Sequence, residues 1–169
     1  AVLLISIDAT VLSFALPALS ADLDPTGVEL LWIVDSYGFA IAGLLITMGT
    51  LGDQIGRRRV LLAGALVFGG ASALAAFSGS VPQLVLARVL LGVGGATLMP
   101  STLSLIRTLF PDARRRARAI AVWAAMFSVG SAAGPIIGGA LLEHFHWGSV
   151  FLINLPVVAV LVLGGLVFL

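Results

Sequence analysis

The 169-residue chain is 60% hydrophobic and only 10% charged, with a mean hydropathy of +1.16. A water-soluble domain carries roughly 25% charged residues, so this chain cannot cover a water-facing surface and belongs to the membrane class. Net charge is +1 and there is no cysteine, which excludes disulfides and thiolate metal sites.

A spanning helix needs about 20 mostly apolar residues, and six such runs follow one another. Helix 1 is expected over about Ala1–Leu19, helix 2 over Leu30–Gly52 and helix 3 over Arg59–Phe77. Helix 4 is expected over Pro82–Leu109, helix 5 over Arg118–Leu142 and helix 6 over Ser149–Leu169. The runs are too long, and alternate too little, for the strands of a membrane barrel. Both ends fall inside apolar runs, with no initiator Met at Ala1, and the chain reads as a fragment of a longer protein.

The basic residues are all arginine. Arg57, Arg58 and Arg59 stand between helices 2 and 3; Arg114, Arg115, Arg116 and Arg118 stand between helices 4 and 5. The other loops carry Asp22, Asp24, Glu29, Glu143, His144 and His146 but no arginine. Basic residues mark the cytoplasmic side, which predicts loops 2–3 and 4–5 inside and a multi-pass protein of the cell membrane. Trp32, Trp123 and Trp147 fall near helix ends, where aromatic belts are expected. A weak internal repeat lays Gly49–Leu62 over Gly139–Leu152, with Asp53 against Glu143. The two stretches fall on opposite faces, as a three-plus-three inverted repeat requires.

Helix 1 contains IDATVLSFALPAL, with Asp8 in its inner half, and helix 2 contains LLWIVDSYGFA, with Asp35 nearer the outer surface. Desolvation works against the charged form of a buried carboxyl, which makes each acid a candidate proton carrier and, when ionised, a site for an organic cation. The plain alternative is a carboxyl paired with a hydroxyl or with Arg88. In GTLGDQIGRRRVLL, Asp53 and Arg57 are one helical turn apart and able to pair. Gly49, Gly52 and Gly56 remove bulk and let a neighbouring helix approach. Helix 4 carries Arg88 in its outer third, followed by Gly92, Gly94 and Gly95. A charge at that depth costs roughly 2.5–3.5 kcal/mol on insertion scales, so it either has a partner or snorkels to the interface. Helix 5 contains GSAAGPIIGGAL, in which Gly130, Gly134 and Gly138 form a bare stripe that Gly139 widens and Pro135 permits a kink.

These segments resemble the signatures of the major facilitator superfamily. GTLGDQIGRRRVLL resembles its loop 2–3 signature, with Gly52 and Gln54 departing from it; RVLLGVGGA resembles its helix 4 signature, with Leu91 in place of the usual Gln. GSAAGPIIGG matches the antiporter signature of drug/proton exporters. IDATVLSFALP, LLWIVDSYGFA and WGSVFLINLP are similar to segments of the fourteen-helix drug exporters, with Ser13 and Gly148 departing from the pattern. The resemblance implies an all-α membrane fold, residues 1–169 being the N-terminal six-helix bundle. It also implies proton-coupled export of cationic amphipathic molecules by alternating access. Asp8 would be the first choice for the proton-coupling acid and Asp35 the second, with Arg88 tuning them. Gly49, Asp53, Gly56, Arg57 and Arg58 would form a conformational gate, and Gly130, Gly134, Pro135, Gly138 and Gly139 would set transport direction. The partners expected are protons, a small organic cation, the bilayer and a C-terminal half of the same chain.

Helices 1, 2, 4 and 5 are expected to line a cavity, with 3 and 6 peripheral. Asp53, lacking its partner half, is expected to be partly exposed or paired with local arginines. The rivals are an exporter of another substrate class, such as an amino acid or siderophore, and a non-transporting sensor or assembly protein. No GxxxxGK[ST] motif, nucleophile–base pair or metal-ligand set is present, and neither an enzyme, nor nucleic-acid binding, nor a cofactor is expected.

Overall fold

A computed structural model describes residues 1–168, with α7 the last element. The elements are α1 (Val2–Leu23), α2 (Gly27–Ile55), α3 (Arg57–Ala76), α4 (Val81–Leu109), α5 (Ala113–His144), α6 (Ser149–Leu152) and α7 (Asn154–Phe168). Among the described residues six helical spans are long and apolar enough to cross a membrane, the sixth formed by α6 and α7 together. All six follow the expected runs; the end of helix 6 at Leu169 lies outside the described residues.

Helix starts follow local chemistry. Thr26 and Glu29 form a capping box, the Glu29 amide donating to Thr26 Oγ1 and the Thr26 amide to Glu29 Oε2. This satisfies two donors that a helix start leaves open. Asp112 caps α5 by accepting from the Arg115 amide at 2.8 Å. That cap starts α5 earlier than expected, so Arg114, Arg115 and Arg116 lie in its first turn rather than in a loop. The arginines Arg57, Arg58 and Arg59 likewise open α3. Only Gly56 separates α2 from α3, at φ +103°, a backbone conformation that L side chains rarely adopt. Nothing lies within 4 Å of a Cβ built there. Gly56 is therefore a turn requirement and not, as expected, a point of helix approach.

Without a hydrophobic drive between helices in lipid, close packing at small residues has to hold the bundle. α4 lies between α2 and α3. A Cβ on Gly92 would sit 2.7 Å from the Tyr37 carbonyl oxygen of α2, and one on Gly94 would sit 2.9 Å from the Gly64 carbonyl oxygen of α3. α5 packs on α1 through the bare stripe: Gly130 faces Ser6, Gly134 faces Thr10, and a Cβ on Gly138 would meet Val11 Cγ2 at 2.8 Å. Gly139 faces open space, so it does not widen that stripe as expected. The reason is register: Gly138 already occupies the contact line, and the next residue points about 100° away. α5 runs unbroken through Pro135. α3 buries one face, where Phe68 and Ala75 are inaccessible, and leaves Leu66 and Val67 exposed. Its Gly64, Gly69 and Ser72 admit α4 on one side and the sixth span on the other, Gly69 meeting Val158.

One aromatic expectation also changes. Trp147 is buried, its indole donating to Asp22 Oδ2 at 2.7 Å, and is not part of a lipid-facing belt. His146 is exposed, and its Nε2 lies 3.2 Å from the same Asp22 oxygen.

Gly134→Leu should destabilise the full-length protein by about 1–3 kcal/mol, the usual cost of overpacking, through collision with Thr10. Gly139→Leu should leave stability close to wild type. Thermal unfolding of the purified protein compares the two, and equal losses would reject the contact line drawn above.

Candidate functional site

Asp8 lies on α1 with no solvent exposure and Arg88 on α4 with 2%. Arg88 Nη1 donates to Asp8 Oδ2 at 2.8 Å. The other carboxylate oxygen, Oδ1, accepts from Asn154 Nδ2 at 2.9 Å, and the same amide nitrogen lies 3.1 Å from Ser72 Oγ. Arg88 Nε donates to the Ile33 carbonyl at 3.1 Å, and its guanidinium lies 4.4 Å from the Tyr37 ring centroid. At that distance the cation is attracted to the ring face. Tyr37 donates its hydroxyl to the Ile5 carbonyl at 3.3 Å. The result is a dry polar core in which each Asp8 oxygen has a partner.

Asp8 does not lie where expected. Arg88 is seven residues into α4, and Ser72 is four residues from the end of α3. Both belong to the ends joined by the arginine-free segment around Gly79. Asp8 is therefore in the half of the bundle farther from the arginine clusters. Position along helix 1 alone puts Asp8 in the inner half, whereas α5 extends well beyond Ala1 toward the arginine end: Gly130, seventeen residues into α5, is level with Leu3 and Ser6. Arg88 does not snorkel to the interface; it is held inward by the carboxylate.

Asp35 sits differently. It is exposed, without a hydrogen-bond partner among the described residues, and lines a cavity of about 280 Å³ with Ala9, Ser13, Leu16, Phe39 and Arg88. The cavity draws on α1, α2 and α4, as expected; α5 adds nothing to its wall. Arg88 thus belongs to both places: its Nη1 and Nε bond within the core, and the residue is also among those lining the cavity.

At the arginine end, Arg57 Nη2 and Nε reach Asp53 Oδ1 at 2.9 and 3.1 Å, the one-turn pair that the spacing predicts. Asp53 is 62% exposed there, in line with expectation. Arg57 Nη1 also donates to Thr108 Oγ1 and the Ser104 carbonyl of α4. Arg58 donates to the Gly165 and Leu166 carbonyls near the end of α7. A Cβ on Gly49 would meet Pro100 at 3.5 Å and one on Gly52 would meet Ser101 at 3.9 Å, both ordinary contact distances. They leave a hollow of about 230 Å³ with Asp53, Arg57 and Arg107 at its rim.

Reasoning from the sequence left out Asn154, Ser72 and Tyr37 as members of the polar core. An asparagine alone in the apolar run of helix 6 was the available signal, since a polar side chain in a span is costly without a partner.

The arrangement of six spans, the glycine-lined contacts and the buried charges agree with a comparison across known proteins, in which the description Major Facilitator Superfamily matches residues 1–169. The chain belongs to that superfamily. Among its facilitator relatives, it is 60% identical to the multidrug efflux pump LfrA of Mycolicibacterium smegmatis, over 97% of this chain and 32% of that pump. It is 53% identical to the methyl viologen resistance protein SmvA of Salmonella typhimurium, over 92% of this chain and 32% of SmvA. It is 41% identical to the tetracenomycin C resistance and export protein of Streptomyces glaucescens, over 99% of this chain and 31% of that protein. The chain spans about a third of the length of these curated relatives.

Removing one partner of a buried ion pair leaves an uncompensated charge. Arg88→Met and Asp8→Leu should each destabilise the full-length protein by about 3–5 kcal/mol, while the two together should recover most of that loss. A double-mutant cycle on thermal or denaturant unfolding measures the coupling, and simple additivity would deny the pair.

Proposed function

We propose that this chain is the N-terminal half of a proton-coupled exporter that moves cationic amphipathic small molecules by alternating access. The relatives' names, which refer to multidrug efflux and to resistance and export, support the export reading. Methyl viologen, for which SmvA is named, is an organic dication, which supports a cationic substrate class. The arginine clusters support an orientation with the α2–α3 and α4–α5 connections in the cytoplasm. The remaining spans would come from the rest of the protein.

One observation carries the reading: Arg88 closes the Asp8 core and also borders the cavity that holds the unpartnered Asp35. In the proposed cycle, Asp35 attracts the cationic substrate and the apolar wall of Leu16 and Phe39 takes its hydrophobic part. A proton arriving from outside binds Asp8 and cancels the charge that balances Arg88. The guanidinium then adds uncompensated positive charge beside Asp35 and weakens its hold on the substrate. Substrate and proton thus oppose one another through a single arginine, and the coupling is reciprocal. The glycine stripe of α5, Gly130, Gly134 and Gly138 with Pro135, would keep α5 fixed on α1 as the bundle rocks. At the cytoplasmic end, Asp53 would meet the N-terminus of a helix from the other half, where a carboxylate is favoured by about 0.3–1 kcal/mol. The hollow beside Gly49 and Gly52 leaves room for it. Arg57 and Arg58 would hold the α2–α3 turn in place, and Gly56 would form it.

Efflux of a fluorescent organic cation from vesicles holding the full-length protein tests this. Asp35→Asn should weaken cation export at least about tenfold, as expected for loss of a charge-assisted contact, with uncharged substrates less affected. Asp8→Asn should remove the dependence of export on the proton gradient. If export by Asp8→Asn still follows the gradient as in wild type, Asp8 is purely structural. Asp53→Asn should lower transport and shift spectroscopic distances across the cytoplasmic side toward the inward-open state; unchanged distances would reduce that segment to a topology signal.

A further inference from the structure

The three consecutive arginines that open α3 do not share a task. Arg57 is taken by Asp53 and α4, and Arg58 by the carbonyls of α7. Arg59 is exposed and has no hydrogen-bond or ion-pair partner among the described residues. It stands at one end of an apolar groove of about 300 Å³ between α2, α3 and α4. Met48, Leu51 and Ile55 form one wall, on a different stripe of α2 from Gly49 and Gly52. Ala63 and Val67 of α3 and Val93 of α4 form the rest.

At the floor of the groove Gly64 and Gly94 bring the backbones of α3 and α4 into close contact. The one hydroxyl lining it, on Thr97, donates to the Gly94 carbonyl at 2.6 Å and is satisfied within its own helix. Nothing in the groove calls for water. From Arg59 to Val67 it runs along α3 for about 12 Å at the helical rise, the length of several methylenes of an extended hydrocarbon chain. An apolar slot of that length ending at an unpaired cation matches a molecule with a hydrocarbon chain and an anionic head.

We propose that this groove binds an anionic phospholipid, with one acyl chain between α2 and α3 and the headgroup phosphate on Arg59. The site lies apart from the Asp35 cavity and from the hollow beside Asp53, and shares no residue with the latter. With the arginine end cytoplasmic, as proposed above, the head would sit in the leaflet where anionic lipids attract basic residues. The lipid would fill the groove above the Gly64–Gly94 contact and so brace the α2–α3 hairpin from its outer side.

The test is native mass spectrometry of the full-length protein released from nanodiscs of equal phosphatidylglycerol and phosphatidylcholine. The wild type should retain phosphatidylglycerol over phosphatidylcholine by about fivefold, the preference expected for one arginine at an anionic surface. Arg59→Gln should bring that ratio close to one. Ala63→Phe, which fills the groove from an exposed position, should reduce retention of both lipids. Arg114→Gln, at an exposed arginine of the same end, should leave the ratio as in wild type. An unchanged ratio in Arg59→Gln would overturn the proposal. An equal fall in Arg114→Gln would replace it with diffuse surface charge, and unchanged retention in Ala63→Phe would mean that the groove holds another part of the protein.

Discussion

The ion pair between Asp8 and Arg88 constrains the rest of the bundle. Two charges out of water are tolerated only when their remaining hydrogen-bonding capacity is met. Here the partners come from separate elements: Asp8 from α1, the Ile33 carbonyl and Tyr37 ring from α2, Ser72 from α3, Arg88 from α4 and Asn154 from α7. Five of the six spans thus contribute a group to one network. In a medium as apolar as the side chains themselves, hydrophobic burial does not select one arrangement of helices. A polar network that is satisfied in only one arrangement does.

Close packing is what lets that network form. Gly92 lies one turn beyond Arg88, and its missing side chain brings α2 against α4. That approach places the Ile33 carbonyl within reach of the guanidinium and the Tyr37 ring beneath it. On the other side, Gly94 and Gly64 bring α3 against α4, and Gly69 brings the sixth span against α3. Ser72 and Asn154 are thereby carried toward Asp8. α5 stands outside the network and is attached by shape, through Gly130, Gly134 and Gly138 on α1. The bundle therefore combines a polar lock at its centre with a side-chain-free seam at one flank.

Much of this was legible in the residues because a bilayer leaves few choices. Its thickness sets the length of each run, and a charge inside a run is costly enough to stand out. That is why all six spans and the placement of Asp8, Asp35 and Arg88 within them were readable. Depth was not: counting from Ala1 misplaced Asp8, because α1 and α5 are offset along the bundle axis, and offset is a property of packing. The identity of the partners was hidden for a related reason. Asn154 announces that it needs a partner, but nothing local names Asp8, 146 positions away. Trp147 at a helix end looks the same whether it faces lipid or Asp22. Gly139 looks like a member of the stripe until the register shows Gly138 on the contact line.

The difference between the two acids of helices 1 and 2 has a physical origin in what surrounds them. A carboxylate with both oxygens engaged has little capacity left for a cation, however close the cation comes. A carboxylate on a cavity wall with no partner keeps that capacity but is poorly placed to feel a buried group, because water screens it. Arg88 removes this separation. Its guanidinium is fixed on Asp8 at one side and by Ile33 and Tyr37 at another, while Arg88 as a residue also lines the cavity of Asp35. In the proposed cycle the charge state of the core is thus conveyed to the cavity without any large rearrangement within this half. Rocking of the two halves would then follow from the change in charge balance at the cavity wall, acting on a bundle that moves as one piece because its network ties the helices together.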